Sequence, residues 1–326
     1  MAKILLIFAT LLFIISVQAQ TATSLDLWLK FKLKYSKVYS SHEESTRFLI
    51  FLQNLQFIEQ YQQEDPDVQY GITKFADLSP EEFEAYFLGL RVPHSLHSEP
   101  LRTINSTFIT DPPAAWDWRD HGAVTPAKNQ AICGSCWAFS AVGNLEGQYF
   151  LKYNNLKNLS EQELVDCDTI DQGCGGGYMQ NAFTWLSQNG GLEPAENYPY
   201  FGFQGTCKIN PAMQIVKVKG YLNFTADEEV IAQSLYQYGP LSTGINGNKL
   251  QFYKSGVFSP LACSNELNHG VLFVGYGSEE KKGKSTDYWI VKNSWGADWG
   301  EDGTFRIVRG KAKCGINLDV STAIIE

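Results

Sequence analysis

The sequence predicts an α+β fold of two unlike halves behind a helical N-terminal segment. Three observations predict it: apolar residues at helical spacing over 25–62, a proline-rich stretch over 91–113, and beyond it helical patterns that give way to short apolar runs. A chain of 326 residues suits two folded units, and with 44% hydrophobic and 19% charged residues it can bury sizeable cores. The net charge is −9, from 26 Lys and Arg against 35 Asp and Glu, and the basic residues do not gather as a phosphate backbone requires. Nucleic-acid binding is disfavoured on that ground.

The elements follow in order. Residues 1–19 read as a secretory signal peptide: a basic start at Lys3, an apolar run from Ile4 to Val17, and small residues before a cut near Ala19. A membrane anchor needs about 20 apolar residues, more than this run supplies, so no membrane attachment is expected once the signal is removed. Residues 20–111 form a separate N-terminal segment in this reading. Trp28, Phe31 and Tyr35 mark one helix, and Phe48, Phe51, Leu52, Leu55 and Ile58 a second that carries the i,i+4 pair Glu43 and Arg47. Pro93, Pro100, Pro112 and Pro113 then punctuate an extended, cleavable linker with a boundary near residue 111.

From residue 112 to 326 the pattern is mixed. Ala138, Phe139, Val142, Leu145 and Tyr149 lie at helical spacing, and Ser160-Glu161-Gln162-Glu163 reads as a capping box opening another helix. Val271-Leu272-Phe273-Val274 and Tyr288-Trp289-Ile290-Val291 read as buried strands.

Seven cysteines all lie in this part of the chain. In an oxidising compartment six would pair, in any of 15 ways, and one thiol is left over. A nucleophilic thiol needs a nearby base and a group to orient that base. Only two histidines follow residue 112: His121, in a polar turn that suits a solvated surface residue, and His269, at the start of a strand and the better base. Cys136 opens the helical run at Trp137, where the helix N-terminus and an imidazolium together would depress its pKa to about 3–4. Two rivals are weaker. Cys133-Gly134-Ser135-Cys136 fits a redox C-x-x-C pair, but its flanks are helix-rich and the cysteine count is odd. Cys133, Cys136, Cys167 and Cys174 lack zinc-site spacing, so no metal and no cofactor is expected.

Gln130-Ala131-Ile132-Cys133-Gly134-Ser135-Cys136-Trp137 resembles the nucleophile segment of the papain-like cysteine proteases. Asn268-His269-Gly270 and Asn293-Ser294-Trp295-Gly296 resemble that family's histidine and asparagine segments. Upstream, Glu43, Arg47, Phe51, Asn54, Ile58 and Gln62 are similar to the long pro-helix of the cathepsin L-type branch, with Gln62 pointing toward the cathepsin F-like one. Gly71-Ile72-Thr73-Lys74-Phe75-Ala76-Asp77 is similar to its second pro-motif.

The resemblance implies a papain-like two-domain fold, with a helical left half and a β-barrel-like right half, preceded by a helical propeptide. It implies a zymogen of a cysteine endopeptidase, secreted or lysosomal, whose Cys136, His269 and Asn293 act with Gln130 as an oxyanion donor. It places Gly176, Gly177, Tyr178, Met179, Gly244, Leu267, Gly270 and Trp295 along the substrate cleft, with Asp319 at the floor of the main specificity pocket. It pairs Cys133 with Cys174, Cys167 with Cys207 and Cys263 with Cys314, leaving Cys136 free. The partners implied are protein or peptide substrates, the chain's own propeptide as inhibitor, and cystatin-like inhibitors; a monomer is expected. Sequons stand at Asn105, Asn158 and Asn223. The alternative is a secreted, non-catalytic papain-like binding or storage protein.

Overall fold

The computed structural model describes residues 23–94, 99–105, 112–281 and 283–326; the expected signal peptide over 1–19 and the expected boundary near residue 111 lie outside them. Helix α1 (23–35) packs Trp28 and Phe31 on Phe51 of α2 (Ser41–Glu64), giving the pro-segment a small aromatic core of its own. The polar positions of α2 have partners that explain their identities. Arg47 reaches Glu82 at 2.7 Å, Asn54 donates to the carbonyls of Ala76 and Leu78, and Gln62 bonds both Val68 O and Tyr70 N. Strand β1 (Gln69–Tyr70) and helix α3 (Pro80–Phe87) complete this segment, and Ser79 and Glu82 form a reciprocal capping box at the start of α3.

The left half is built on α4 (Cys136–Tyr153), α5 (Glu161–Cys167) and α6 (Met179–Asn189). Only half of the predicted box at Ser160 forms. Its hydroxyl accepts from Glu163 N, but the Glu163 carboxylate turns to the amide of Glu193 at 2.7 Å, because the crossing segment there supplies the partners instead.

The right half is a sheet of β4 (Val218–Phe224), β5 (Leu241–Ile245), β7 (Val257–Phe258), β8 (His269–Lys281), β9 (Lys284–Lys292), β10 (Thr304–Val308) and β11 (Val320–Ile325), with α7 (Glu228–Tyr238) packed on it. Its strand path is β2-β4-β11-β5-β8-β9-β10-β7, with β3 (Trp116–Asp117) also on β8. Among the described residues no pairing joins the two ends of the path, so the barrel-like half is an open sheet. Its β2 (Arg102–Ile104) comes from the proline-rich linker and lies parallel to β4, so part of that linker is docked on the sheet edge rather than free. The pro-segment is fastened a second time where β1 pairs with β6 (Tyr253–Ser255).

Both halves have their own buried clusters, and they meet where the N-terminus of α4 abuts the start of β8. Cys133–Cys174, Cys167–Cys207 and Cys263–Cys314 are disulfide-bonded, and Cys136 is free and buried. Cys133 is therefore no partner for a redox pair with Cys136.

Candidate active site

Cys136 is the first residue of α4, and its Sγ accepts from the backbone N–H of Gly270 at 3.4 Å, just past the start of β8. A Cβ on Gly270 would stand 3.1 Å from the Cys136 carbonyl oxygen, which is why β8 can approach the helix end so closely. His269 begins β8 and is fully buried. Its Nε2 lies 2.8 Å from Asn293 Oδ1, and Trp295 stacks on the imidazole with ring centroids 4.6 Å apart, closing that bond off from water. His121 is exposed and stacks on Trp116, remote in role from this cluster.

Gln130 is locked from both ends. Ser294 Oγ donates to its Oε1 at 2.6 Å, which aims Nε2 at the carbonyls of Cys133 (2.8 Å) and Phe87 (3.3 Å). Phe87 belongs to the pro-segment, and the chain continues from it straight across the thiol. Gly89 N–H donates to Cys136 Sγ at 3.2 Å. Gly89 O then accepts from Gly177 N–H at 3.0 Å, and Arg91 N–H donates to Gly177 O at 2.9 Å, a parallel pairing of Leu90 with Gly177. A side chain at Gly89 would stand 1.9 Å from the carbonyl oxygen of Gly134, so only glycine fits the crossing point.

Leu90 fills the pocket beside this strand. It belongs to the buried cluster that holds Tyr178 and Met179, lines one pocket with Tyr178 and Leu267, and a Cβ on Gly244 would come within 2.8 Å of its Cδ2. Half-buried Asp319 lies at the same pocket, accepting from Tyr178 OH at 2.9 Å and Gln180 Nε2 at 2.6 Å, and burial pushes its carboxyl up to about 6. Gly176 has φ +117° and faces Gly89 O, where a Cβ would stand 2.6 Å away.

The electrostatics differ from the sequence expectation of a depressed thiol pKa. Burial pushes the Cys136 thiol up, against the backbone N–H groups of Gly270 and Gly89 that favour its thiolate. Burial likewise pulls His269 down to about 4, against its bonds to Asn293 and the Phe87 carbonyl. The covering pro-segment removes the water that an ion pair needs, so thiol and imidazole are both held toward their neutral forms.

Residues 112–324 match the papain family cysteine protease model, and residues 28–83 match the cathepsin propeptide inhibitor domain. The chain belongs to the papain family of cysteine proteases. This papain-family zymogen is 43% identical over 308 residues to cysteine proteinase 15A of Pisum sativum, covering 90% of this chain and 84% of that one. It is 40% identical to cysteine proteinase 1 of Dictyostelium discoideum, covering 99% of this chain and 100% of that one. The solved structure of a digestive procathepsin L2 from Tenebrio molitor larval midgut superposes with a TM-score of 0.85 at 35% identity, covering 92% of this chain and 99% of that one. The protein is thus a papain-like cysteine endopeptidase made with its own inhibitory propeptide.

Sequence reasoning missed one residue that shapes the zymogen's cleft. Asp171 lies directly behind Gly177, where a Cβ would stand 2.7 Å from its Cγ, and its Oδ1 accepts from Tyr178 N–H and Asn181 Nδ2. The signal for it was weak, an acidic residue in a glycine-rich loop. Among the described residues no group of three or more His, Cys, Asp or Glu side chains is arranged to hold a metal, and no helix is long and apolar enough to cross a membrane.

Proposed function

We propose that Cys136, His269 and Asn293 are the catalytic residues, with Gln130 as an oxyanion donor. One observation carries the reading: a peptide main chain already lies across Cys136, with one N–H on Sγ and one carbonyl on Gln130 Nε2. It pairs parallel with Gly177, whereas a substrate running the other way would pair antiparallel and present its scissile carbonyl to the thiol. The propeptide occupies the cleft in the direction that cannot be cut.

Once the cleft is open and solvated, Cys136 and His269 form a thiolate and an imidazolium. The thiolate attacks the carbonyl carbon, and the oxyanion takes the hydrogen bond from Gln130 Nε2 that Phe87 O now holds, together with one from the backbone N–H of Cys136. His269 gives its proton to the leaving amine as the C–N bond breaks, leaving a thioester. Neutral His269 then takes a proton from water as that water attacks the thioester, releasing the carboxylic acid and restoring the thiol pair. Asn293 Oδ1, accepting from Nε2–H, keeps the imidazole turned toward sulfur throughout.

Leu90 marks the pocket that takes a bulky apolar side chain two residues before the cut, lined by Tyr178, Met179, Gly244 and Leu267. The signal peptide read in residues 1–19, the sequons at Asn105, Asn158 and Asn223 and the three disulfides support a secretory-pathway enzyme, with a lysosome, a digestive vacuole or the extracellular space as its destination. Exposed Asn158 is the better-presented glycosylation site of the mature part, since Asn223 is half-buried in β4 between β2 and β11. The enzyme acts as a monomer open to cystatin-like inhibitors.

The test is intact mass of the precursor after incubation near pH 5 and treatment with an irreversible thiol-directed affinity label, with Cys136→Ala as control. Loss of the propeptide plus one adduct, absent in the control, is expected. An unlabelled chain would instead fit a non-catalytic papain-like protein.

A further inference from the structure

The propeptide leaves an apolar patch beside the cleft uncovered. Ile132 is 69% exposed, Phe201 59% and Phe203 62%. Single apolar side chains on a surface need no explanation, but these three belong to two loops in contact. A Cβ on Gly202 would stand 3.0 Å from Ala131 Cβ, and the rings of Phe201 and Phe203 are 6.0 Å apart. Both loops are pinned to the nucleophile segment: Tyr200 OH donates to Gln130 O at 2.7 Å and lies 2.7 Å from Ser135 Oγ, at the residue that precedes α4.

The direction of the docked chain shows what passes this patch. From Gly89 on Cys136, the propeptide runs forward to Gly177 and back, through Phe87, to the Gln130 side chain. A substrate runs oppositely, so its residues before the cut lie on Gly177 and those after it leave past Gln130. Ile132 follows Gln130 by two residues, a reach of about 7 Å, which two extended substrate residues also span.

We propose that Ile132, Phe201 and Phe203 form a binding surface for the part of a peptide substrate that follows the cut, selecting apolar side chains at its second and third residues. The proposal rests on the endopeptidase reading and deepens it. Three side chains offer far less than the about 800 Å² per partner of a stable protein interface, which favours a short peptide over a second copy of the chain.

The test uses the matured enzyme and three kinds of substrate with the same sequence before the cut. One set carries Leu or Phe at the second and third positions after it, another carries Ser or Asp there, and the third ends in a small fluorogenic amine. The wild type is expected to prefer the apolar set by about tenfold in kcat/KM. Replacing the patch by Ile132→Ser, Phe201→Ser and Phe203→Ser together should abolish that preference and leave turnover of the small amide unchanged. Equal kcat/KM for both peptide sets in the wild type, or a preference that survives in the triple variant, would overturn the proposal. Turnover of no substrate, the small amide included, would sink the endopeptidase reading and this proposal with it.

Discussion

Gln130 and Asp171 lie at the two ends of the crossing over Cys136, Gln130 under Phe87 and Asp171 behind Gly177, and each is held by bonds independent of substrate. Ser294 fixes the Gln130 amide, so in the proposed mechanism its Nε2 is already aimed when an oxyanion forms. Gln130→Ala should lower kcat by about 10²–10³-fold with little change in melting temperature, since a preorganised donor is worth that much in a water-excluded site. Single-turnover rates and thermal unfolding of the variant check it. Asp171 instead holds the amide of Tyr178 behind the strand that pairs with a peptide main chain. Its loss affects ground state and transition state alike, so Asp171→Ala should raise KM by about tenfold with kcat nearly unchanged. Asp171→Asn, which keeps the acceptor oxygen, should restore KM. Gln130 was legible in the sequence because it stands six residues before Cys136 in a recognisable segment. Asp171 was not, because its role depends on a loop that folds it back under Gly177, a contact six residues away that no periodicity reveals.

At the scale of elements, the propeptide inhibits through one short extended crossing supported by helices. Helix α2 was readable from its apolar and polar spacing, whereas α3 went unread, although Ser79-Pro80-Glu81-Glu82 carries both a capping box and a proline at its first turn. The docking of β2 on β4 was not readable, since a proline-rich segment with no periodicity gives no hint of which sheet edge it will meet. Nor was the half-formed cap of α5, whose second partner comes from a segment some thirty residues on. The crossing itself depends on Gly89. Gly89→Ala puts a methyl 1.9 Å from the Gly134 carbonyl oxygen, and the main chain must lift off the thiol to relieve it. Overpacking of that kind costs roughly 1–3 kcal/mol, so the variant precursor should be labelled at Cys136 about tenfold faster than wild type at neutral pH. An unchanged labelling rate would mean that the crossing is not what guards the thiol.

For the whole molecule, the block and the chemistry are coupled through protons. In a Cys136→Ala precursor, whose open cleft holds no thiolate to pair with the imidazole, docking of the propeptide over His269 favours its neutral form, burial pulling it below the ordinary 6.5 to about 4. A group whose pKa is lowered in the docked state favours docking fully above its undocked pKa, and that contribution drains away as pH falls from about 6.5 toward 4. Glu64 acts in the same sense: Lys249 of the mature part holds its carboxyl below the usual range, so the pair is lost as acid protonates it. Asp65 opposes them, because burial raises its carboxyl and acid relieves that penalty, but it bonds a single backbone amide and one carboxyl stands against two groups. Acid should therefore loosen the propeptide between pH 6.5 and 4. The check is hydrogen exchange at the Gly89 and Arg91 amides in a Cys136→Ala precursor, which cannot process itself. Protection should fall steadily across that window, and the fall should flatten when His269→Ala is added. Equal protection at pH 7 and pH 4.5 would place the activation trigger outside the cleft.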